Sequence, residues 1–134
     1  MTAPPSEAVQ VMVRLAEAGV RITPNGSNLL YWSPVSLPPE LRELLVEHKT
    51  SLLAYLSIWS EKRAIALGQE ADRVVAELGV PGTDQEIQAA ADRYQEALQR
   101  HDMATVRAAC FAIEGRVRNL AAQKANASQV YPAA

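Results

Sequence analysis

A lone β-hairpin set among helices is what most limits the folds open to this chain. From Val9 to Leu56 the order reads helix, tight hairpin around Asn25-Gly26, then a proline-started helix carrying His48-Lys49; everything afterwards has helical periodicity. Two strands are too few to act as a scaffold sheet. The hairpin is therefore either a structural cap glued to the helices or a recognition surface whose open edge pairs with something else. The function question turns on that choice.

Ser6 is placed to cap the first helix, whose apolar side is Val9, Met12, Val13 and Ala16, and Gly19 is placed to end it. Val20-Arg21-Ile22 and Leu29 to Trp32 are β-prone runs, and the segment Thr23 to Asn28 between them reads as a loop longer than two residues. Alternation puts Val20 and Ile22 on one face, and sets Leu30 and Trp32 against Leu29 and Tyr31 on the return strand. With apolar groups on both faces of that strand, one face is expected to pack on helices and the other to be only partly covered.

Pro38-Pro39-Glu40 fits a first helical turn, because proline tolerates that position and acids favour that end. Leu41, Leu44, Leu45, His48 and Leu52 then share a side, and Thr50-Ser51 either interrupts the helix or is carried through it. From Leu52 the periodicity continues through Leu56, Trp59, Leu67, Val74 and Leu78 to the break at Gly79-Val80-Pro81-Gly82. A continuous helix there would run roughly 40 Å at about 1.5 Å per residue. Thr83 with Glu86 has the spacing of a capping box for a helix striped by Ile87, Ala91, Tyr94 and Leu98. Asp102 reads as the next N-cap, ahead of Val106, Cys110, Ile113, Val117 and Leu120. A link as short as Arg100 to Asp102 predicts an antiparallel helical hairpin packed back on the preceding helix. The expected fold class is α+β, mostly α: a flexible arm over residues 1–7, a helix–hairpin–helix module over 8–56, a long helix and helical hairpin over 57–125, and a frayed tail over 126–134.

At 134 residues, 49% hydrophobic and 21% charged, the chain has the composition of a folded globular protein. A net charge of -2 supplies no general attraction to nucleic acid or anionic membrane. The single cysteine, Cys110, excludes an intrachain disulfide and a cysteine-rich zinc framework, and it reads as a small buried hydrophobe. No apolar run approaches the length of a membrane span, and nothing near Met1 has the pattern of a secretory signal, so a soluble, cytoplasmic protein is expected. His48 and His101 belong to no metal-binding spacing, and phosphate-loop, dinucleotide and nucleophile-elbow motifs are absent. No carboxylate pair is marked as a general acid and base. Neither enzymatic activity, nor a cofactor, nor a metal is expected.

Two surfaces are left as binding candidates. Arg100, Arg107, Arg116, Arg118 and Lys124 give the last helix a local basic excess, and Arg107, Arg116, Arg118 and Lys124 are the candidates for phosphate contact in a nucleic-acid-binding or replication accessory protein. They are sparse, however, and no aromatic interleaves them. The hairpin has the stronger claim, because Tyr31 and Trp32 sit together on a strand whose edge can template an added strand. A purely structural dimer is a third possibility.

The run Leu15-Ala16-Glu17-Ala18-Gly19-Val20-Arg21-Ile22, then Asn25-Gly26, Leu29-Leu30-Tyr31, Pro34, Leu37-Pro38-Pro39-Glu40-Leu41, Glu47-His48-Lys49 and Leu52-Leu53-Ala54-Tyr55-Leu56 resembles the TubC-type N-terminal docking domain of modular nonribosomal peptide and polyketide synthases. Each element is weakly specific alone; their order and spacing are the resemblance. It implies a small, homodimerising helix–hairpin–helix–helix module that receives a short C-terminal peptide of a partner protein as an added strand. Carried onto this chain, the peptide would lie along Ile22 or along Leu30, Tyr31 and Trp32, with Arg21 and Arg42 as charge partners if it is acidic. The resemblance covers residues 8–56 and says nothing of the helices that follow.

Overall fold

A computed structural model describes the backbone over residues 4–81 and 83–130 and the side chains over 7–81 and 83–124. Its elements are α1 (Pro4–Glu17), β1 (Arg21–Asn25), β2 (Asn28–Trp32), α2 (Pro39–Glu47), α3 (Lys49–Leu56), α4 (Glu61–Leu78), α5 (Gln85–Arg100) and α6 (Met103–Val130). The chain is thus mostly helical, with one antiparallel hairpin after the first helix. It divides into two compact units, residues 1–59 and residues 60–134.

In the first unit α1 begins at Pro4, so residues expected as a flexible arm are helical from there and Ser6 lies inside the helix rather than capping it. The missing N–H groups of Pro4 and Pro5 cost nothing in a first turn, where those donors have no helical acceptor. The helix ends as Gly19 predicts. With φ +73, Gly19 lets its own N–H reach the Ala16 carbonyl at 3.0 Å while the Val20 N–H reaches that of Leu15 at 2.9 Å. Leu15 and Val20 are both buried, so the same turn fixes the exit of the chain and closes the core beneath it.

The hairpin is tighter than the sequence suggests. Asn25 pairs with Asn28, leaving Gly26 and Ser27 as a two-residue turn. Of the two, only Gly26 has positive φ, at +63, the pattern of a type II′ connection whose twist suits the strands. The register pairs Thr23 with Leu30, Ile22 with Tyr31 and Arg21 with Trp32. Ile22, Leu29 and Tyr31 therefore share one face, and Thr23, Leu30 and Trp32 the other. The first face turns toward the core: Ile22 joins Val11, Leu15, Leu37, Leu41, Leu52 and Leu56 in one apolar cluster, with Leu29 packed against it.

The helix after Pro38 is interrupted at His48 (φ -104, ψ 17), not at Thr50-Ser51, which α3 carries through. A second break replaces the expected continuous helix from Leu52 to Leu78. The Ser57 hydroxyl donates to the Leu53 carbonyl at 2.9 Å, and the Ser60 hydroxyl accepts the Arg63 N–H at 3.2 Å, ending one helix and starting the next.

In the second unit α4 and α5 both pack on α6 and touch one another little. Ala71, Val74, Ile87, Ala90, Cys110, Ile113 and Val117 form its core. The α5 cap is Asp84, whose carboxylate accepts from the Glu86 and Ile87 N–H groups, in place of the Thr83–Glu86 capping box. Asp102 caps α6 as expected, accepting the Thr105 N–H at 3.2 Å and its hydroxyl at 2.6 Å. The helix backbone of α6 continues to Val130, into the segment expected to fray; residues 131–134 lie outside the described residues.

Candidate functional site

Hydrogen-bond parity decides which hairpin edge is competent to pair. The pair closing a two-residue turn is hydrogen-bonded, and bonded and non-bonded pairs alternate outward from it. Counted from Asn25–Asn28, the outward backbone groups are those of Ile22 and Pro24 on β1 and of Leu29 and Tyr31 on β2. Pro24 has no N–H, so β1 lacks a donor in the middle of its outer edge, and the proline costs the hairpin no ladder bond. The outer edge of β2 is complete. Beyond the hairpin ladder, no backbone hydrogen bond among the described residues reaches Leu29 or Tyr31.

A groove of about 210 Å³ lies beside this edge. Leu29 and Tyr31 line it from β2, Leu37 from the connecting loop, and Arg42, Leu45 and Val46 from α2, with Asn28 and Lys49 at its end. Tyr31 is 47% exposed and Val46 74% exposed, large values for apolar side chains flanking a shared cleft. A shallower depression continues along α2 past Arg42, Glu43, Val46 and Glu47. The rim of the groove is cationic: Arg42 and Lys49 are its only charged lining residues among those described, and Lys49 Nζ donates to Asn28 Oδ1 at 2.8 Å. That bond holds a positive charge beside the start of β2.

Of the residues picked from the sequence as peptide contacts, Tyr31 and Arg42 meet in the groove. Leu30 is exposed and Trp32 half-buried on the opposite face, and Arg21 is half-buried across from Trp32. The Ile22 side chain lies in the core at 9% exposure, and its strand is the proline-blunted one. The sequence reading missed Leu37, Leu45, Val46 and Lys49. Val46 carried a usable signal, being an apolar residue next to, rather than on, the Leu41–Leu45 stripe.

The basic residues of α6 do not assemble into a surface. Arg107 is buried at 6% exposure. Arg116 is held by Asp84 at 3.0 Å and Glu86 at 3.1 Å, and Arg118 by the buried Glu114 at 3.0 Å. Lys124 alone of the four is exposed. The hydrogen bond from Arg116 holds the Asp84 carboxyl below its ordinary range, so this arginine stabilises the α5 cap rather than facing solvent phosphate. Cys110 is buried, and burial pushes its thiol up to about 12, which makes it unreactive at neutral pH. Among the described residues no cluster of His, Cys, Asp and Glu is arranged to hold a metal, and no helix is long and apolar enough to cross a membrane.

No family of known proteins, no curated protein and no solved structure matches this chain.

Proposed function

We propose that residues 1–59 form a peptide-docking module that accepts an extended segment of a partner protein along β2. One observation carries this reading: the complete outer edge of β2 borders an apolar groove with a cationic rim. An added strand would draw affinity from main-chain bonds to Leu29 and Tyr31. Every second side chain of that strand would fall on the face shared by Leu29 and Tyr31, above Leu37, Leu45 and Val46. Arg42 and Lys49 favour carboxylates in the flanking positions. The partner segment is thus an extended peptide with alternating apolar residues and acidic neighbours, in keeping with the resemblance to TubC-type docking domains. The chain acts as a non-catalytic adaptor. Self-association belongs to the same proposal and is read by sedimentation at several concentrations.

Titration with a synthetic acidic peptide of alternating apolar residues tests it, followed by amide NMR. Binding is expected to protect the Leu29 and Tyr31 amides from exchange. Tyr31→Ala should weaken affinity about 30-fold, the equivalent of about 2 kcal/mol for a central aromatic anchor. Unchanged affinity in a folded Tyr31→Ala protein, or protection on β1 in place of β2, rejects the assignment. The nucleic-acid reading is left with little support, since ion pairing and burial occupy three of its four cations.

A further inference from the structure

The second unit contains a cleft independent of the hairpin. Because α4 and α5 each lie along α6 but scarcely meet, a space of about 300 Å³ opens between them. Tyr94 of α5 spans it, its hydroxyl donating to the Ala64 carbonyl of α4 at 2.9 Å. Gly68 makes that crossing possible: a Cβ there would stand 2.6 Å from the Tyr94 ring carbon Cζ. The tie fixes the aromatic ring in the wall of the cleft, where it cannot swing into solvent without breaking the bond.

The one charge among the described lining residues is negative. Asp72 lines the cleft, and among the described residues no hydrogen bond or ion pair engages its carboxylate. Gln69 and Gln95 add two primary amides, and among the described residues no lysine, arginine or histidine lines the space. At the floor, burial is the main cause that raises the Cys110 thiol, with Glu114 and Asp72 raising it further and Arg107 lowering it. A half-enclosed cleft with an unengaged carboxylate, an immobilised aromatic ring and amides that accept as well as donate is suited to positive charge rather than to a purely apolar guest.

We propose that the α4–α5 cleft binds a small organic cation, an alkylammonium or quaternary ammonium group seated against the Tyr94 ring and paired with Asp72. Gln69 and Gln95 offer acceptors to polar substituents of the same ligand. The proposal does not depend on peptide docking, since every residue it uses lies in residues 60–134.

Choline and its uncharged isostere 3,3-dimethylbutan-1-ol are the probes, titrated into the full chain and followed by the amide and side-chain resonances of Ala91, Tyr94 and Cys110. Saturable shifts with choline and none with the alcohol are expected. The Asp72→Asn protein, altered only at an exposed side chain, should keep its spectrum and lose choline affinity about tenfold. Equal response to both probes makes the cleft merely apolar and overturns the proposal. So does the absence of a choline response at concentrations on the order of 10 mM, or full choline affinity in Asp72→Asn.

Discussion

At the scale of single residues, Gly68 and Tyr94 make a coupled pair whose energetics invert a simple propensity rule. Glycine inside a helix costs about 1 kcal/mol relative to alanine, so Gly68→Ala in an open helix would stabilise. Here the new methyl would collide with the Tyr94 ring and displace its hydroxyl from Ala64. Gly68→Ala is expected to lower unfolding free energy by about 1–2 kcal/mol, as overpacked sites do. In a Tyr94→Leu background the same change should become stabilising, by roughly 1 kcal/mol; urea unfolding of the four proteins closes the cycle. Asp84 gives a second test, in pH. The Arg116 bond lowers its folded pKa, and the Ile87 and Glu86 N–H groups lower it further. A carboxyl lowered on folding contributes stability above its unfolded value, about 3.9, and that contribution is lost as pH falls through the folded value. Asp84→Asn should therefore be less stable than the parent at pH 7, with the difference narrowing in acid. A difference that stays constant from pH 7 to pH 2 would contradict the assignment.

At the scale of elements, what the sequence revealed follows from where apolar spacing and backbone chemistry agree. The stripe Val106, Cys110, Ile113 and Val117 is buried as the 4-3-4 spacing demands, and Gly19 ends α1 because few other residues adopt its backbone. The break between α3 and α4 was obscured because Trp59 sustains the apolar period straight across it, next to Ile58, which is 56% exposed. The signal available was Ser60 followed by Glu61, a cap and a first-turn acid. Ser60→Ala should cost about 1 kcal/mol and increase amide exchange in the first turn of α4, whereas a neutral change would mean the stop at Ser57 alone ends the helix. The groove was half legible. Tyr31 and Arg42 stand out by type and position, but Leu37 and Leu45 read as ordinary core residues, and only the tertiary path brings them beside the β2 edge. Pro24 was legible as a turn signal; its role in blunting β1 emerges only when the register is known.

At the scale of the whole molecule, most of the described buried apolar residues fall in two clusters, one containing Leu15, Leu52 and Leu56 and the other Cys110, Ile113 and Val117. Each cluster closes within its own unit, so each unit has a core able to unfold as its own cooperative block. With one proposed binding surface per unit, ligand-linked stabilisation is expected to act on the unit that holds the ligand. Leu52 provides the test, being fully buried and distant in sequence from every α4–α6 residue of the second cluster. Leu52→Ala should cost about 2–5 kcal/mol, the range for truncating a buried leucine. Native-state hydrogen exchange should locate that loss in the slow amides of α1, the hairpin and α3, with the slow amides of α5 and α6 keeping their protection. A uniform drop across both sets would mean that the two clusters unfold together, and that peptide bound at β2 stabilises the α4–α5 cleft as well.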